Sequence, residues 1–281
     1  MREGEGSSPS TNFKILYYLR EMYAAAYVGL RIYFRYPMWI VSDLLTSPIW
    51  MLVLLIPILL FMPPESWGSG ETIQYFFWGM VLWDVVSTAL WGIGNSIRSE
   101  QQLGTLEQLL LTNANRAILF TRRLASRMLG FATSTAYMYI FLQLFFGKPI
   151  IVVNLPGVIL LLIIAAATAT GFGLVYGAVV LWIKNPGPLS NILQFVLIGL
   201  SGIFYPIARM PAIIRYAAYA IPFTYLADLL RHEAMGTPTL LQPILEYALL
   251  LTYTAALNAV GYVILLKIEE RMKRVGKLGV Y

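Results

Sequence analysis

A hydroxyl and an imidazole, Ser201 and His232, are the side chains in this 281-residue sequence that could begin nucleophilic chemistry. Ser201 stands in Gly199-Leu200-Ser201-Gly202, inside an apolar run. A serine there attacks only when a base can take its proton at hydrogen-bond distance. His232 is the single histidine, which removes any multi-histidine metal site, and it sits between Arg231 and Glu233 in a polar stretch. That layout brings no base to Ser201, and a small residue beside Gly202 suits close helix packing instead. Cysteine is absent, so neither a disulfide framework nor a thiolate metal site can form. No G-x-x-x-x-G-K-[ST] phosphate loop occurs, so the chain lacks that means of binding ATP. Asp84 is a carboxylate midway along an apolar run between Trp83 and Val85, while Asp43 lies near the end of its own run. A lone mid-run carboxylate is a thin basis for ion coupling. Hydrogen bonding to Ser87 or Thr88 is the simpler use.

The elements that must hold these residues are long apolar helices. Of all residues 58% are apolar and 12% charged, with mean hydropathy +0.69, against about 25% charged in a soluble domain. Such a chain is an integral membrane protein. A span needs roughly 20 residues to cross about 30 Å of hydrocarbon. Runs 39–62, 73–97, 124–146, 158–183, 189–204 and 244–266 are the six candidates. Pro48 and Pro57 are expected kinks in the first, and the Ala- and Gly-rich fourth suits tight packing. Residues 1–12 read as a disordered tail. In 13–36, Phe13, Leu16, Leu19, Tyr23, Tyr27, Leu30 and Phe34 step by threes and fours, the pattern of a helix lying in the headgroup plane. Pro37 pushes Tyr36 out of helical geometry, so the chain can turn there.

Six spans put both ends on one side. On that side fall sixteen of the twenty Lys and Arg residues, and Lys148, Arg209, Arg215 and Arg231 fall on the other. The basic side is cytoplasmic by the positive-inside rule. It includes the longest polar interruption, 98–123, where Leu103, Leu106, Leu109 and Leu110 recur at helical spacing among Glu100, Gln101, Glu107 and Gln108. A short amphipathic helix is expected over about 100–112. Between the fifth and sixth runs, 205–232 is apolar but broken by Pro206, Pro211 and Pro222. Helix-break-helix pieces dipping partway into the outer leaflet fit it, shielded by the bundle.

Glu100, Gly104-Thr105-Leu106-Glu107, Leu109-Leu110 and Arg116 resemble the first cytoplasmic loop of the ABC type-2 exporter permeases. The sequence departs from that pattern where Leu103 replaces a basic residue before the glycine and Asn113-Ala114 replaces Thr-Pro. Ser201-Gly202, the prolines after it and Pro222-Phe223-Thr224-Tyr225 resemble the family's second signature. The resemblance implies an all-α polytopic fold with an N-terminal interfacial helix, a coupling helix and re-entrant helices. It implies that Glu100, Gln101, Gly104, Thr105, Leu106, Glu107, Leu109, Leu110 and Arg116 dock an ATP-binding subunit. That partner would be present in two copies and hold the ATP and Mg, with no cofactor, metal or nucleic acid bound by this chain. A homodimer in the cell membrane, multi-pass with both termini cytoplasmic and in contact with lipid, would move a drug, lipid or glycan past Asp84, Phe195, Phe204, Tyr205 and Pro206. Two other classes compete: an ion-gradient-driven secondary transporter, and an intramembrane serine protease, because Gly199-Leu200-Ser201-Gly202 looks like the rhomboid nucleophile motif.

Overall fold

The computed structural model describes residues 20, 23–24, 27–28, 30–60, 69–104, 108, 124–147, 149–183 and 186–275. Among them, all regular structure is helical. Helical backbone over 30–35 stops at Tyr36, and α1 (Pro37–Leu60) begins on the proline. Proline restricts the residue before it and has no N–H to lose in a first turn, so the boundary falls there. The predicted tail and half of the predicted interfacial helix lie outside the described residues. Helix α2 (Gly70–Ser87) starts at Ser69, whose hydroxyl accepts from Thr72 N–H at 3.2 Å. It runs through a π-helical turn, Thr88–Gly92, into α3 (Ile93–Gln102).

Helix α4 (Leu124–Phe146) is followed by α5 (Leu155–Trp182), where Asn154 Oδ1 accepts from Gly157 N–H at 3.3 Å. Then come α6 (Gly187–Leu200), a 3-10 turn at Ile207–Arg209, α7 (Ala212–Tyr219), α8 (Pro222–Met235) and α9 (Pro243–Val275). Each of the six apolar runs carries a helix, although the fifth ends at Leu200 rather than at 204. Gly70–Glu100, Leu155–Trp182 and Pro243–Ile268 are each long and apolar enough to cross a bilayer. The protein is a multi-pass helical membrane protein.

Helix directions follow from which residues meet. A Cβ on Gly173 would lie 2.9 Å from Ala89 O, and one on Gly177 would lie 2.8 Å from Ile93 Cγ2 and 2.9 Å from Ile97 Cδ1. Later residues of α5 therefore meet later residues of the α2–α3 helix, and the two run parallel. Thr168 bonds Thr254 at 2.7 Å, while Gly261 packs on Leu174, so α9 runs parallel as well. Helix α6 runs the opposite way: Phe195 meets Trp83, and Phe204 meets Phe76. This alternation is what consecutive membrane crossings produce. It gathers Gln102, Trp182 and the end of α9 at one pole, and 147–154, 201–221 and 236–242 at the other. Without a hydrophobic drive between helices in lipid, glycine-lined contacts and such Thr–Thr bonds, worth about 0.6 kcal/mol each on average, supply the association.

One expectation needs correction. The amphipathic helix expected over about 100–112 does not run unbroken from Glu100. Helix α3 ends at Gln102, and Gly104 adopts a left-handed φ of 68°, a turn conformation that glycine takes without strain. Glu100 belongs to the last turn of the long α2–α3 helix.

Candidate functional site

Where α6 ends, the chain makes a sharp reversal against α2. Ser201 N–H donates to Leu197 O at 2.9 Å, and Gly202 takes φ 67°, the left-handed conformation that closes helix ends. The reversal throws Phe204 back onto α2 beside Gly79. A Cβ on Gly79 would lie 2.8 Å from Phe204 Cδ1 and 3.0 Å from Ile203 O, so only glycine lets the ring settle there. Phe204 then joins a line of aromatic rings. Its centroid is 6.1 Å from Phe76 and 6.0 Å from Trp83, and Trp83 reaches Phe195 edge-on at 6.4 Å and Trp50 of α1 at 5.8 Å. All four separations lie within the range of attractive ring pairs.

A second layer sits behind the aromatic line. Arg231 of α8, 5% exposed, donates from Nη1 to Gly202 O at 2.8 Å and from Nη2 to Ile203 O. Its guanidinium carbon lies 3.8 Å above the centre of the Tyr75 ring, a cation–π contact. A guanidinium keeps its proton even when buried, so this is a buried positive charge. Helix α8 is itself pinned. Thr224 Oγ1 donates to Ala218 O at 2.7 Å, Tyr225 OH donates to Tyr219 O at 2.8 Å, and Asp228 Oδ2 accepts from Leu240 N–H at 2.7 Å. Burial raises the Asp228 carboxyl above its ordinary value, against the lowering effect of the Leu240 bond. Beyond this layer Glu233 accepts from Asn154 Nδ2 at 2.5 Å and from Tyr247 OH at 2.9 Å, clamping the start of α5 to α8 and α9.

The α2–α6 contact also has a polar tie away from the aromatic rings. Trp91 Nε1–H donates to Gln194 Oε1 at 2.6 Å, and Gln194 Nε2 donates to Ser87 Oγ at 2.9 Å. Gln194 thereby bridges across the π-helical turn.

Of the residues expected to line a pathway, Phe195 and Phe204 are brought together through the Trp83 ring, and Asp84 is the next residue on α2. Phe195 is 63% exposed, so its outer face is open. Tyr205 turns back, its hydroxyl donating to Gly199 O, and Pro206 starts the 3-10 turn that packs Ile207 against Met210 and Ala218. Of the residues expected to dock an ATPase, Thr105, Leu106, Glu107, Leu109, Leu110 and Arg116 lie outside the described residues. Gln101 is in the last turn of α3, Gly104 is in the turn after it, and Glu100 is 5% exposed.

Ser201 Oγ is fully buried with no hydrogen-bond partner, and His232 Nδ1 pairs with Thr237 O at 2.6 Å. No hydrogen-bonded serine–histidine pair exists here. Among the described residues there is no group of three or more His, Cys, Asp or Glu that could hold a metal ion. Sequence reasoning missed Trp83, Gly79, Gln194 and the role of Arg231. The one available signal was an arginine inside a Pro-punctuated apolar segment, where a charge needs partners.

A model of the family described as ABC-2 family transporter protein matches residues 68–263, from just ahead of α2 into α9. Among curated proteins, none matches the chain.

Proposed function

The chain belongs to the ABC-2 transporter family, and from that membership we propose that it is the permease subunit of an ATP-driven exporter. In this reading it carries a hydrophobic or lipid-linked substrate (a drug, a lipid or a glycan) out of the cytoplasm. ATP and Mg reside on a separate ATP-binding subunit, two copies of which dock on a homodimer of this chain in the cell membrane. The observation that carries the reading is the family match over residues 68–263, which includes the polar loop and the re-entrant segment. Two features agree with it. Basic residues Arg98, Lys267 and Arg271 lie at the pole where Gln102 ends, whereas Arg215 and Arg231 lie at the opposite one, as cytoplasmic termini require. The aromatic line from Trp50 through Trp83 to Phe204 offers apolar, stackable surface beside α2 and α6, and in this reading Phe204 would act as a gate.

ATP-driven closure of the partner subunits would shift the permease between two states by differential affinity. Residues after Gly104, with Leu106, Leu109 and Leu110 as a ridge and Glu107 and Arg116 setting register, would receive that movement. The test is co-expression with the ATP-binding subunit and measurement of permease-stimulated ATPase activity. Glu107→Arg is expected to abolish the stimulation while membrane insertion is retained. Unchanged transport in that variant would defeat the docking assignment. Loss of transport on collapsing proton and sodium gradients at constant ATP would defeat the ATP-driven reading in favour of ion coupling.

A further inference from the structure

Arg231 is a buried charge whose contacts contain no carboxylate. Two peptide carbonyls and the face of Tyr75 surround it. Asp228, one turn earlier on α8, acts on it through space, but its own Oδ2 accepts from Leu240 N–H. Buried charges are normally paired, and an arginine at membrane depth is retained where it meets a partner or a pathway. Beside it are two further polar groups with no partner: Arg231 Nε–H, and the hydroxyl of Ser201, the residue preceding the carbonyl that Nη1 holds. Both are completely shielded from water. The guanidinium therefore holds the reversal that carries Phe204, its Nε–H is unpartnered, and the unpartnered Ser201 hydroxyl belongs to the same reversal.

The carbonyls that occupy the guanidinium belong to the same reversal that carries Phe204. Ile203 O, the acceptor of Nη2, lies 3.0 Å from where a Cβ on Gly79 would stand. A withdrawal of Phe204 that carries the reversal with it moves that carbonyl as well, because the two are adjacent in the chain. When the ring withdraws, the guanidinium loses its acceptors while still buried. A forked guanidinium freed in that way is matched by an oxyanion, a phosphate above all, which it can bind through two parallel N–H···O bonds.

We propose that Arg231 and Ser201 form an anion subsite behind the Phe204 gate, which takes the phosphate of an amphiphilic substrate in exchange for the Gly202 and Ile203 carbonyls. The proposal rests on the reading that Phe204 lies on the transport pathway. It narrows the cargo to amphiphiles with an anionic, phosphate-like head. Phe204 and Trp83 then hold the apolar part while Arg231 holds the head.

The test uses the full-length chain in phosphatidylcholine nanodiscs. The probes are brominated dodecyl phosphate, dodecyl maltoside and dodecyl trimethylammonium, read by quenching of tryptophan fluorescence and by displacement with the unbrominated analogue. The expected result is saturable, displaceable quenching with the phosphate, at least about tenfold tighter than with the other two heads, as a charge-assisted bond to a buried group requires. Arg231→Gln should erase that preference, and Arg231→Lys, which keeps the charge but loses the fork, should lose most of it. Equal affinity for all three heads, or an unchanged preference in Arg231→Gln, overturns the subsite and leaves the apolar pathway standing. No saturable quenching by any probe overturns the pathway reading along with the subsite. If Arg231→Gln fails to fold, the head-group preference of the unaltered chain still decides the matter. Substituting phosphatidylglycerol for phosphatidylcholine separates the two sources of phosphate. Competition by it would identify a bilayer lipid as the occupant, and persistence of the signal would identify a cargo head group.

Discussion

Replacing Gly79 by alanine places a methyl group 2.8 Å from Cδ1 and 2.9 Å from Cε1 of Phe204, and 3.0 Å from Ile203 O. Carbon atoms rest about 3.5–4.0 Å apart, so the ring must withdraw by roughly 0.7 Å or more. It cannot do so freely, because Ile203 O is held by Arg231. Overpacking of this kind costs about 1–3 kcal/mol. The strain exists only while Phe204 lies on α2, so it acts on the closed arrangement and is relieved by opening. A bias of about 1–3 kcal/mol moves a two-state equilibrium by about 5- to 150-fold. The absence of cysteine makes the assay clean. Ser201→Cys is a near-isosteric reporter at a fully buried position in the reversal that carries Phe204, and its rate of reaction with a membrane-impermeant maleimide follows the open population. Gly79→Ala should raise that rate at least about fivefold. Gly199→Ala, whose Cβ would meet nothing within 4 Å, should leave it unchanged. A second reporter, Ala178→Cys, fully buried in α5, should stay unreactive in both. Equal rates at position 201 in the two variants would refute the gate. A rise at 201 and 178 together would refute it too, since the bundle would then have loosened as a whole.

The tie between Trp91 and Gln194 should show in a double-mutant cycle of Trp91→Phe and Gln194→Leu, read by unfolding in mixed micelles. A coupling of about 0.6–1.7 kcal/mol is expected, the range found for hydrogen bonds between membrane helices, and strict additivity would count against it. Gly177→Leu should lower stability by about 3 kcal/mol or more in the same assay, because its side chain has to displace Ile93 and Ile97; a neutral result would mean that α5 and α3 are not packed as described. Asn154→Ala removes the cap of α5 and one partner of Glu233. A loss of about 0.5–2 kcal/mol should follow, and hydrogen exchange should quicken first at the start of α5.

The hydropathy of the chain carried the fold, because a membrane helix is written as one contiguous apolar run. Helix α4 occupies the same residues, 124–146, that composition marks out, and Pro37 announces the start of α1 by its own stereochemistry. The site was less legible for a physical reason. Phe204 stands four residues beyond the end of α6, and its neighbour Gly79 is far away in sequence, so no local period relates them. Gly79 reads as one small residue among many until the ring that fills its surface is known. Arg231 looked like a charge on an outer loop, and only the folded chain shows that its side chain points inward to the carbonyls of residues 202 and 203. Helical spacing likewise suggested one amphipathic helix from Glu100 onward. The leucine period continues across Gly104, but the backbone does not, because a periodicity count cannot register a left-handed turn.

Phe204 and the polar loop are joined by a single helical rod, the route along which the proposed movement would pass between them. From Gly70 to Gln102 the backbone stays helical, with Phe76, Gly79 and Trp83 toward one end and Glu100 at the other. The α3 part is locked against α5 by the contacts of Ile93 and Ile97 with Gly173 and Gly177. The α2 part is held by Phe204 at Gly79. Between two locked segments, the place that can change its winding is the π-helical turn at Thr88–Gly92, because such a turn carries an extra residue that an α-helix would not. Gln194 sits across that turn, bonded to Ser87 before it and to Trp91 within it. A change of winding must therefore stretch or drag Gln194, and with it α6, whose far end is the reversal that holds Phe204. Under the proposed coupling, displacement entering at Gln102 would reach the ring by two connected routes, along α2 and along α6. Both converge on the five residues from Leu200 to Phe204, which is where the bundle has placed its one buried, carboxylate-free arginine among the described residues.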